Sequence, residues 1–252
     1  NKFAYTELAE AAANFEPPSE PKLKAKSSWR LLGRSQPRVD VVAKSTGKAE
    51  YAMDLRLPGM RFATVKRNPH LGSEMIGFDA SEALAMPGVE AAVALNDGVI
   101  IVANNTWRAF KAADAVMFEW SEPTYPKSSQ TMLEQTAAAI DDYLEDSRMR
   151  DDDEVDAALV EVDVISGEYR VPLLAHATME PMNATAWLRG NRLDVWAGNQ
   201  NPTQVRKDAA AIADIDEANV HIHTTYMGGG FGRRAEMDFI QHAVHAAVAI
   251  PG

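Results

Sequence analysis

Residues 226–234 read Tyr-Met-Gly-Gly-Gly-Phe-Gly-Arg-Arg. Glycines crowded around one aromatic, Phe231, make a loop whose backbone N–H groups can lie flat against an anion, because no Cβ holds the ligand off. The run asks for a charged cofactor, and three readings compete for it. Gly230-Phe231-Gly232-Arg233-Arg234-Ala235 fits the dinucleotide pattern G-x-G-x-x-A, with Arg233 or Arg234 receiving a 2′-phosphate, which would make the protein an NAD(P)-dependent dehydrogenase. The rest of that fingerprint, a following strand with a ribose-binding residue about twenty positions on, falls past Gly252. A P-loop is excluded, because no Gly-Lys-Ser/Thr closes the run. The third reading is a structural glycine turn.

Other residues with chemical potential read as structural. His221 and His223 alternate on one predicted strand face, and His242 and His245 sit one helical turn apart, yet neither pair has a carboxylate at metal spacing. His176 reads as a core histidine, and Met75, Met86, Met179, Met182 and Met237 as packing residues. Asp151-Asp152-Asp153 lacks the alternating ligands and central Gly of a calcium loop. The absence of cysteine excludes disulfides, thiolate zinc sites and any iron–sulfur cluster ligated by this chain itself. A net charge of −11 argues against a nucleic-acid surface. No apolar run reaches bilayer length. An apolar content of 46% over 252 residues can supply a core. The start at Asn1-Lys2-Phe3 and an end that interrupts an apolar helical pattern read as an internal fragment of a longer polypeptide.

The elements that must carry the glycine loop follow from period and punctuation. Residues 4–13 are strong helix formers stopped by Asn14, Pro17, Pro18 and Pro21, and a basic, extended linker follows. Strands are predicted at 48–53, 61–67, 89–95, 98–103 and 116–120, with helices at 81–86 (Ser81 as N-cap) and 106–115. That order describes a compact α/β domain. Next come a helix at 131–144, an acidic solvated loop at 145–154, a helical turn at 156–159 and a strand at 165–171. A hairpin of strands 184–189 and 192–197 turns at Gly190-Asn191. A Pro-led helix at 202–213, a strand at 219–226 and a helix at 234–249 complete the chain. Strand, glycine loop and helix in that order present an anion to a helix N-terminus.

Three ordered motifs narrow the choice: the stretch 174–186 (Leu-Ala-His-Ala-Thr-Met-Glu-Pro-Met-Asn-Ala-Thr-Ala), the stretch 195–202 (Val-Trp-Ala-Gly-Asn-Gln-Asn-Pro) and the glycine loop. Together they resemble the molybdenum-binding large subunit of the xanthine dehydrogenase and aldehyde oxidase family. The Arg-Arg ending looks like the isoquinoline 1-oxidoreductase beta subunit and the related bacterial aldehyde dehydrogenase large subunits. Arg38-Val39-Asp40, the run 44–51, Asp54, Leu57-Pro58-Gly59-Met60 and Met86-Pro87-Gly88-Val89 look like that family's α/β hammerhead domain. The resemblance covers roughly residues 30–252. It implies an α+β fold with an upstream helix and linker (1–35), a hammerhead domain (36–122), a helical connector and acidic loop (123–154) and the first part of a molybdopterin-binding domain (155–252).

The resemblance also implies roles. The cofactor is molybdenum held by the dithiolene of a molybdopterin, as a cytosine dinucleotide in some members, so no cysteine is needed. Gly229, Gly230, Phe231 and Gly232 would turn backbone N–H groups toward the metal's oxo ligand and the dithiolene. Gln200 matches the glutamine that donates to the apical oxo group, although it can equally cap the helix starting at Pro202. Arg233 and Arg234 would meet a pterin phosphate or nucleotide tail, or solvate the loop. Glu180 is a candidate catalytic group that can instead orient backbone. The implied reaction is oxidative hydroxylation of an aldehyde or N-heteroaromatic carbon by a metal-bound hydroxyl, with hydride passing to a sulfido ligand. Electrons would leave through 2Fe-2S clusters on a small iron–sulfur partner subunit, with a cytochrome c subunit in some relatives. A periplasmic location follows from isoquinoline-type relatives, with the cytoplasm as the alternative. Two departures stand out. Xanthine-type members carry a substrate-contacting Glu four residues after the loop Phe, where this chain has Ala235 beside Glu236. The general-base Glu is expected beyond Gly252. A non-catalytic binding or assembly module is the remaining alternative.

Overall fold

Prolines and polar residues over 14–37 deny the first part of the chain a hydrophobic face, and its helices bury nothing. The computed structural model describes residues 2–69, 72–141, 155–160 and 162–252, and contacts divide the chain into two units, Asn1–Ala49 and Glu50–Gly252. The first unit carries helix α1 (Tyr5–Ala12) and a short helix α2 (Val41–Ser45) absent from the sequence reading. Asp40, just before α2, takes Lys44 at 2.7 Å and Arg38 at 2.8 Å. These donors, Lys44 foremost, lower its carboxyl pKa to about 2.

In the second unit, β1 (Phe62–Arg67), β3 (Val89–Leu95) and β4 (Gly98–Ala103) form an antiparallel sheet in the order β1-β4-β3. The run Gly98-Val-Ile-Ile-Val-Ala103 is apolar throughout because β4 is the central strand and is buried along its whole length. Gly98 is required there, since a Cβ would collide with the Lys66 carbonyl oxygen. Helices α3 (Ser81–Ala85) and α4 (Thr106–Asp114) lay small residues, Ala83, Ala112 and Ala113, against Val99 and Ile101. Asn105 caps α4 by accepting the Arg108 N–H at 2.9 Å. Strands β2 (Met75–Asp79) and β5 (Met117–Trp120) pair separately.

The C-terminal half holds a second sheet, ordered β6 (Thr185–Arg189), β7 (Arg192–Ala197) and β8 (Val220–Thr224). β6 and β7 are a hairpin, whereas β7 and β8 run parallel because α7 (Pro202–Ala213) is the crossover between them. α7 and α8 (Asp238–Ala249) cover one face, where Leu193, Val195, Val205, Val220, Ile240 and Val244 build the core. Helix α8 also meets β1, β3 and β4, so it ties the two sheets together.

Several elements depart from expectation. The predicted strand at 48–53 is reduced to one parallel bridge between Tyr51 and Tyr226, followed by a 3-10 turn that begins where Asp54 accepts the Tyr51 N–H. Ser81 is the first helical residue rather than the cap, and its N–H goes to Asp79 at 2.8 Å. β2 escaped sequence reading because Gly77 and a register shift break its alternation. The predicted strand at 165–171 has no ladder partner among the described residues, and Ile165, Tyr169 and Val171 are exposed. α5 (Ser129–Asp141) and α6 (Val155–Val160) occupy the expected helices; the acidic stretch at 145–154 and the end of the predicted 131–144 helix lie outside the described residues.

The outer face of the second sheet carries Trp187, Asp194, Trp196, His221 and His223 by strand alternation. Asp194 is 2% exposed beneath Arg189, Arg192 and His223, and the hydrogen bond from Arg192 above all holds its pKa far below the usual carboxylate range. His223, which reads from the sequence as lacking a carboxylate, finds this one on the neighbouring strand at 2.8 Å and stacks on Trp196. Among the described residues, no group of three or more His, Cys, Asp or Glu side chains is placed to hold a metal ion.

Replacing Leu193 with Ala should cost about 2–5 kcal/mol in denaturant unfolding, through a core cavity. Asp194→Asn tests the outer face. A carboxyl with a depressed folded pKa stabilises above its unfolded value of about 4 and loses that contribution as pH falls. The variant should therefore melt lower than wild type at pH 7, by about 1–3 kcal/mol, with the gap closing below about pH 4.

Candidate cofactor site

The parallel pairing of β7 and β8 brings the carboxyl ends of the two strands, Ala197 and Thr224, side by side. The two motifs that leave them, Gly198-Asn199-Gln200 and the glycine loop, therefore share one rim, the usual ligand position in parallel α/β arrangements. Gly198 permits this closeness, since a Cβ would lie 2.8 Å from the Met227 Cγ and 3.0 Å from the Tyr226 carbonyl oxygen. The Gln200 N–H donates to the Arg234 carbonyl at 3.0 Å. Its carboxamide Oε1 sits 3.0 Å from where a Gly230 Cβ would project, so side chain and loop face each other across the space that glycine leaves.

The loop closes on a tight turn. Arg233 N–H donates to the Gly230 carbonyl at 2.9 Å across Phe231 (φ 53°) and Gly232 (φ 87°), the positive-φ pair of a type I′ turn. Gly229, at φ 109°, also uses backbone space that side chains rarely occupy. The N–H groups of residues 229–232 have no acceptor among the described residues, which leaves four consecutive donors of one loop unpaired. Phe231 stands at the apex, 73% exposed. Holding a bulky residue in the left-handed region costs about 1–2 kcal/mol, and its exposed ring recovers little of that by packing.

Beneath the loop lies a buried ion pair. Arg234 is wholly buried and Glu180 is 4% exposed, with Arg234 Nη2 2.9 Å from Glu180 Oε2. Arg234 also donates to the carbonyl oxygens of Gly229 (2.8 Å), Gly198 (3.2 Å) and Glu180 (2.8 Å). The Glu180 carboxylate accepts the Gly228 N–H at 2.9 Å and the Asn183 Nδ2 at 3.0 Å, while the Glu180 N–H donates to the Gly228 carbonyl. Gly228 is obligatory, because a Cβ would collide with that of Glu180.

These and neighbouring contacts engage Arg234, Arg233 and Glu180 within the chain. Arg234 does not present its charge to a phosphate, because every guanidinium nitrogen is turned inward to an acceptor of the chain. Arg233 is held in two hydrogen bonds by Asp238, at 2.8 and 2.7 Å, so its charge too is matched within the chain. Of the two roles expected for Glu180, its contacts match the orientation of backbone: the carboxylate is committed to the Gly228 N–H, Asn183 and Arg234. The helix expected at 234–249 begins only at Asp238, after a 3-10 turn at Arg233–Ala235, and its N-terminus already carries the Asp238 carboxylate. The unpaired donors here are therefore amides of the loop rather than those of a helix end. His176 and Met179, read as core residues, are exposed, whereas Met237 is buried and Met75, Met86 and Met182 pack at the core margins.

Asn199 belongs to the site and escaped sequence reading. It is 3% exposed, its Nδ2 donates to the Ala197 carbonyl at 3.2 Å, and its Oδ1 is buried without a partner. A polar residue between Gly198 and Gln200 was the only signal, and burial cannot be told from residue type. Free amides, an orphaned acceptor and the Gln200 carboxamide gather at one rim. Such a set fits an anionic, oxygen-rich group bound by outer contacts rather than by direct protein ligation.

Phe231→Gly should leave stability unchanged or raise it by up to about 1 kcal/mol, since relief of the left-handed strain offsets the added freedom of the unfolded chain. Denaturant unfolding checks this. A clear loss of stability would show that the ring is held by packing.

Residues 138–250 match the model of the molybdopterin cofactor-binding domain. A nicotinate dehydrogenase subunit of Pseudomonas putida is 33% identical over 238 residues, covering 90% of this chain and 20% of the relative. The beta subunit of isoquinoline 1-oxidoreductase of Brevundimonas diminuta is 29% identical, covering 90% of this chain and 30% of the relative. The chain thus spans a fifth to under a third of these two proteins. In fold it is similar to a Cu,Mo-CO dehydrogenase in its carbon monoxide reduced state, with a TM-score of 0.65 and 21% identity over 86% of this chain and 34% of that one. It is also similar to the aldehyde oxidoreductase of Desulfovibrio gigas, with a TM-score of 0.61 and 19% identity over 84% of this chain and 29% of that one. The second sheet, the crossover helix and the glycine loop fall within residues 138–250, which match a molybdopterin cofactor-binding domain, and the chain is similar over most of its length to the molybdenum-binding subunits of the xanthine dehydrogenase type.

Proposed function

We propose that this chain is part of the catalytic subunit of a molybdenum hydroxylase that oxidatively hydroxylates an aldehyde or N-heteroaromatic carbon. One observation carries the reading: within a molybdopterin-binding domain, the loop whose residues 229–232 have unpaired amides brings Gly230 against the Gln200 carboxamide, 3.0 Å from where a Cβ would stand. The cofactor supplies two-electron oxidation of a carbon centre, with the added oxygen drawn from water. The chain's own part is to hold it. The loop amides would meet its anionic oxygens, the Gln200 Nε2 would donate to a further oxygen, and the buried Asn199 Oδ1 would accept from a polar group or water. The exposed Phe231 ring would exclude water from one side of the reaction space.

The names of the relatives support an N-heteroaromatic substrate, as nicotinate and isoquinoline both contain a ring nitrogen. Glu180 is committed to Gly228 and Arg234, so the reading draws its general base from outside these residues. It also draws its electron acceptor from elsewhere, a small iron–sulfur subunit with a cytochrome c subunit in some complexes, because the chain has no cysteine to hold a cluster. The first sheet with α3 and α4 is read as the α/β hammerhead domain at 36–122, behind a linker at 1–35 and joined through 123–154 to the cofactor domain. The dinucleotide alternative loses its phosphate receptors, with Arg233 and Arg234 both engaged within the chain. A periplasmic location is part of the proposal.

Metal analysis of the intact subunit, purified with its partners, should give about one molybdenum per chain and no nicotinamide binding. Gly230→Ala, whose methyl would press on Gln200, should lower molybdenum retention about ten- to a hundredfold at little cost in melting temperature. A metal-free wild-type protein that binds nicotinamide tightly would overturn the proposal.

A further inference from the structure

We infer that Glu180 and Arg234 are positioning residues whose buried pair presets the glycine loop, so that the donor row at 229–232 exists before any cofactor arrives. This rests on the reading of the loop as a cofactor cradle. The geometry behind it is specific. The three groups that reach the Glu180 carboxylate, Gly228 N–H, Asn183 Nδ2 and Arg234 Nη2, are all donors. Arg234 in turn grips the carbonyl oxygens of Gly198, Gly229 and Glu180, one from each of the three segments that meet at the rim. The Arg234 carbonyl then accepts the Gln200 N–H, which extends the same network to the opposite wall.

The consequence is a division of labour along the loop. The Gly228 N–H and the Gly228 and Gly229 carbonyls are spent downward on Glu180 and Arg234, while the next carbonyl, that of Gly230, closes the turn onto Arg233. With those acceptors fixed below, the amides of residues 229–232 are left on the rim side. A preformed set of dipoles needs no reorganisation when a charged group binds, which is how such cradles gain their strength. A pair serving stability alone would be replaceable by apolar groups of similar volume. A positioning pair would not be, because Met or Leu cannot hold three carbonyls in place.

That difference supplies the test. In the intact subunit with its partners, E180Q leaves the buried Arg234 charge without its counter-ion and should lower the melting temperature clearly. The double variant E180Q/R234M removes both charges and should recover part of the midpoint lost in E180Q, the carbonyls left by Arg234 accounting for the rest. Amide hydrogen exchange is then read residue by residue on cofactor-free protein, from cells grown without molybdate, at the hydrogen-bonded amides of the loop, those of Gly228 and Arg233. The inference expects the double variant to exchange at least about tenfold faster there than wild type, with normal protection in β6, β7 and α8. Molybdenum content after growth with molybdate should fall in parallel. R234K, with one short donor head, should recover the charge pair but not loop protection. If the stabilised double variant regains wild-type loop protection, the pair is only a stability device and the inference fails. The exchange readout needs no metal, so a wild-type subunit that proved free of molybdenum would sink the proposed function while leaving the positioning role measurable on its own.

Discussion

A buried arginine is the constraint on which the rim of this protein depends. A guanidinium removed from water must find a counter-charge and acceptors for its N–H groups, or the chain bears the full penalty of desolvation. Arg234 satisfies that demand with Glu180 and with carbonyls from three separate segments. The loop cannot leave this geometry without orphaning a buried charge. The glycines then follow as a necessity, because Gly228 must touch Glu180 and Gly198 must touch Met227 for the segments to converge.

The second sheet makes the convergence possible. Parallel pairing of β7 with β8 sends both exits to one edge, and α7 packs its apolar face on the sheet while reversing the chain between them. α8 returns from the glycine loop to close the core and reaches the first sheet. At that junction Asp238 links Arg233 of the loop to Arg67 at the end of β1. Burial works against the Asp238 carboxylate, yet the hydrogen bonds from Arg233 and the charge of Arg67 keep its pKa below the ordinary value. Glycine loop and first sheet are thereby joined through one carboxylate.

Charge in this site is therefore mostly internal. The two arginines that look available to a phosphate are both taken by carboxylates of the chain, and the donors left over are neutral backbone amides. Amides suit a cofactor whose own metal carries the chemistry, since they support oxygen ligands without competing for the metal.

The amino-acid sequence by itself determined the elements with strong local signals. β4, α7 and the β6–β7 hairpin were legible because an unbroken apolar run, a Pro at a first helical turn and a Gly-Asn turn each encode geometry within a few residues. The order of the three motifs likewise pointed to the cofactor and to the partnership of Gln200 with the glycine loop. Only the tertiary structure decided which polar groups are free. Nothing in the letters Arg-Arg tells that Arg234 turns inward while Arg233 meets Asp238, and nothing in an apolar alternation at 165–171 supplies the neighbouring strand a ladder requires. Burial and hydrogen-bond partners are set by residues distant in sequence, so Asn199 became an orphan and Asp194 a partner of His223 only once the strands were side by side.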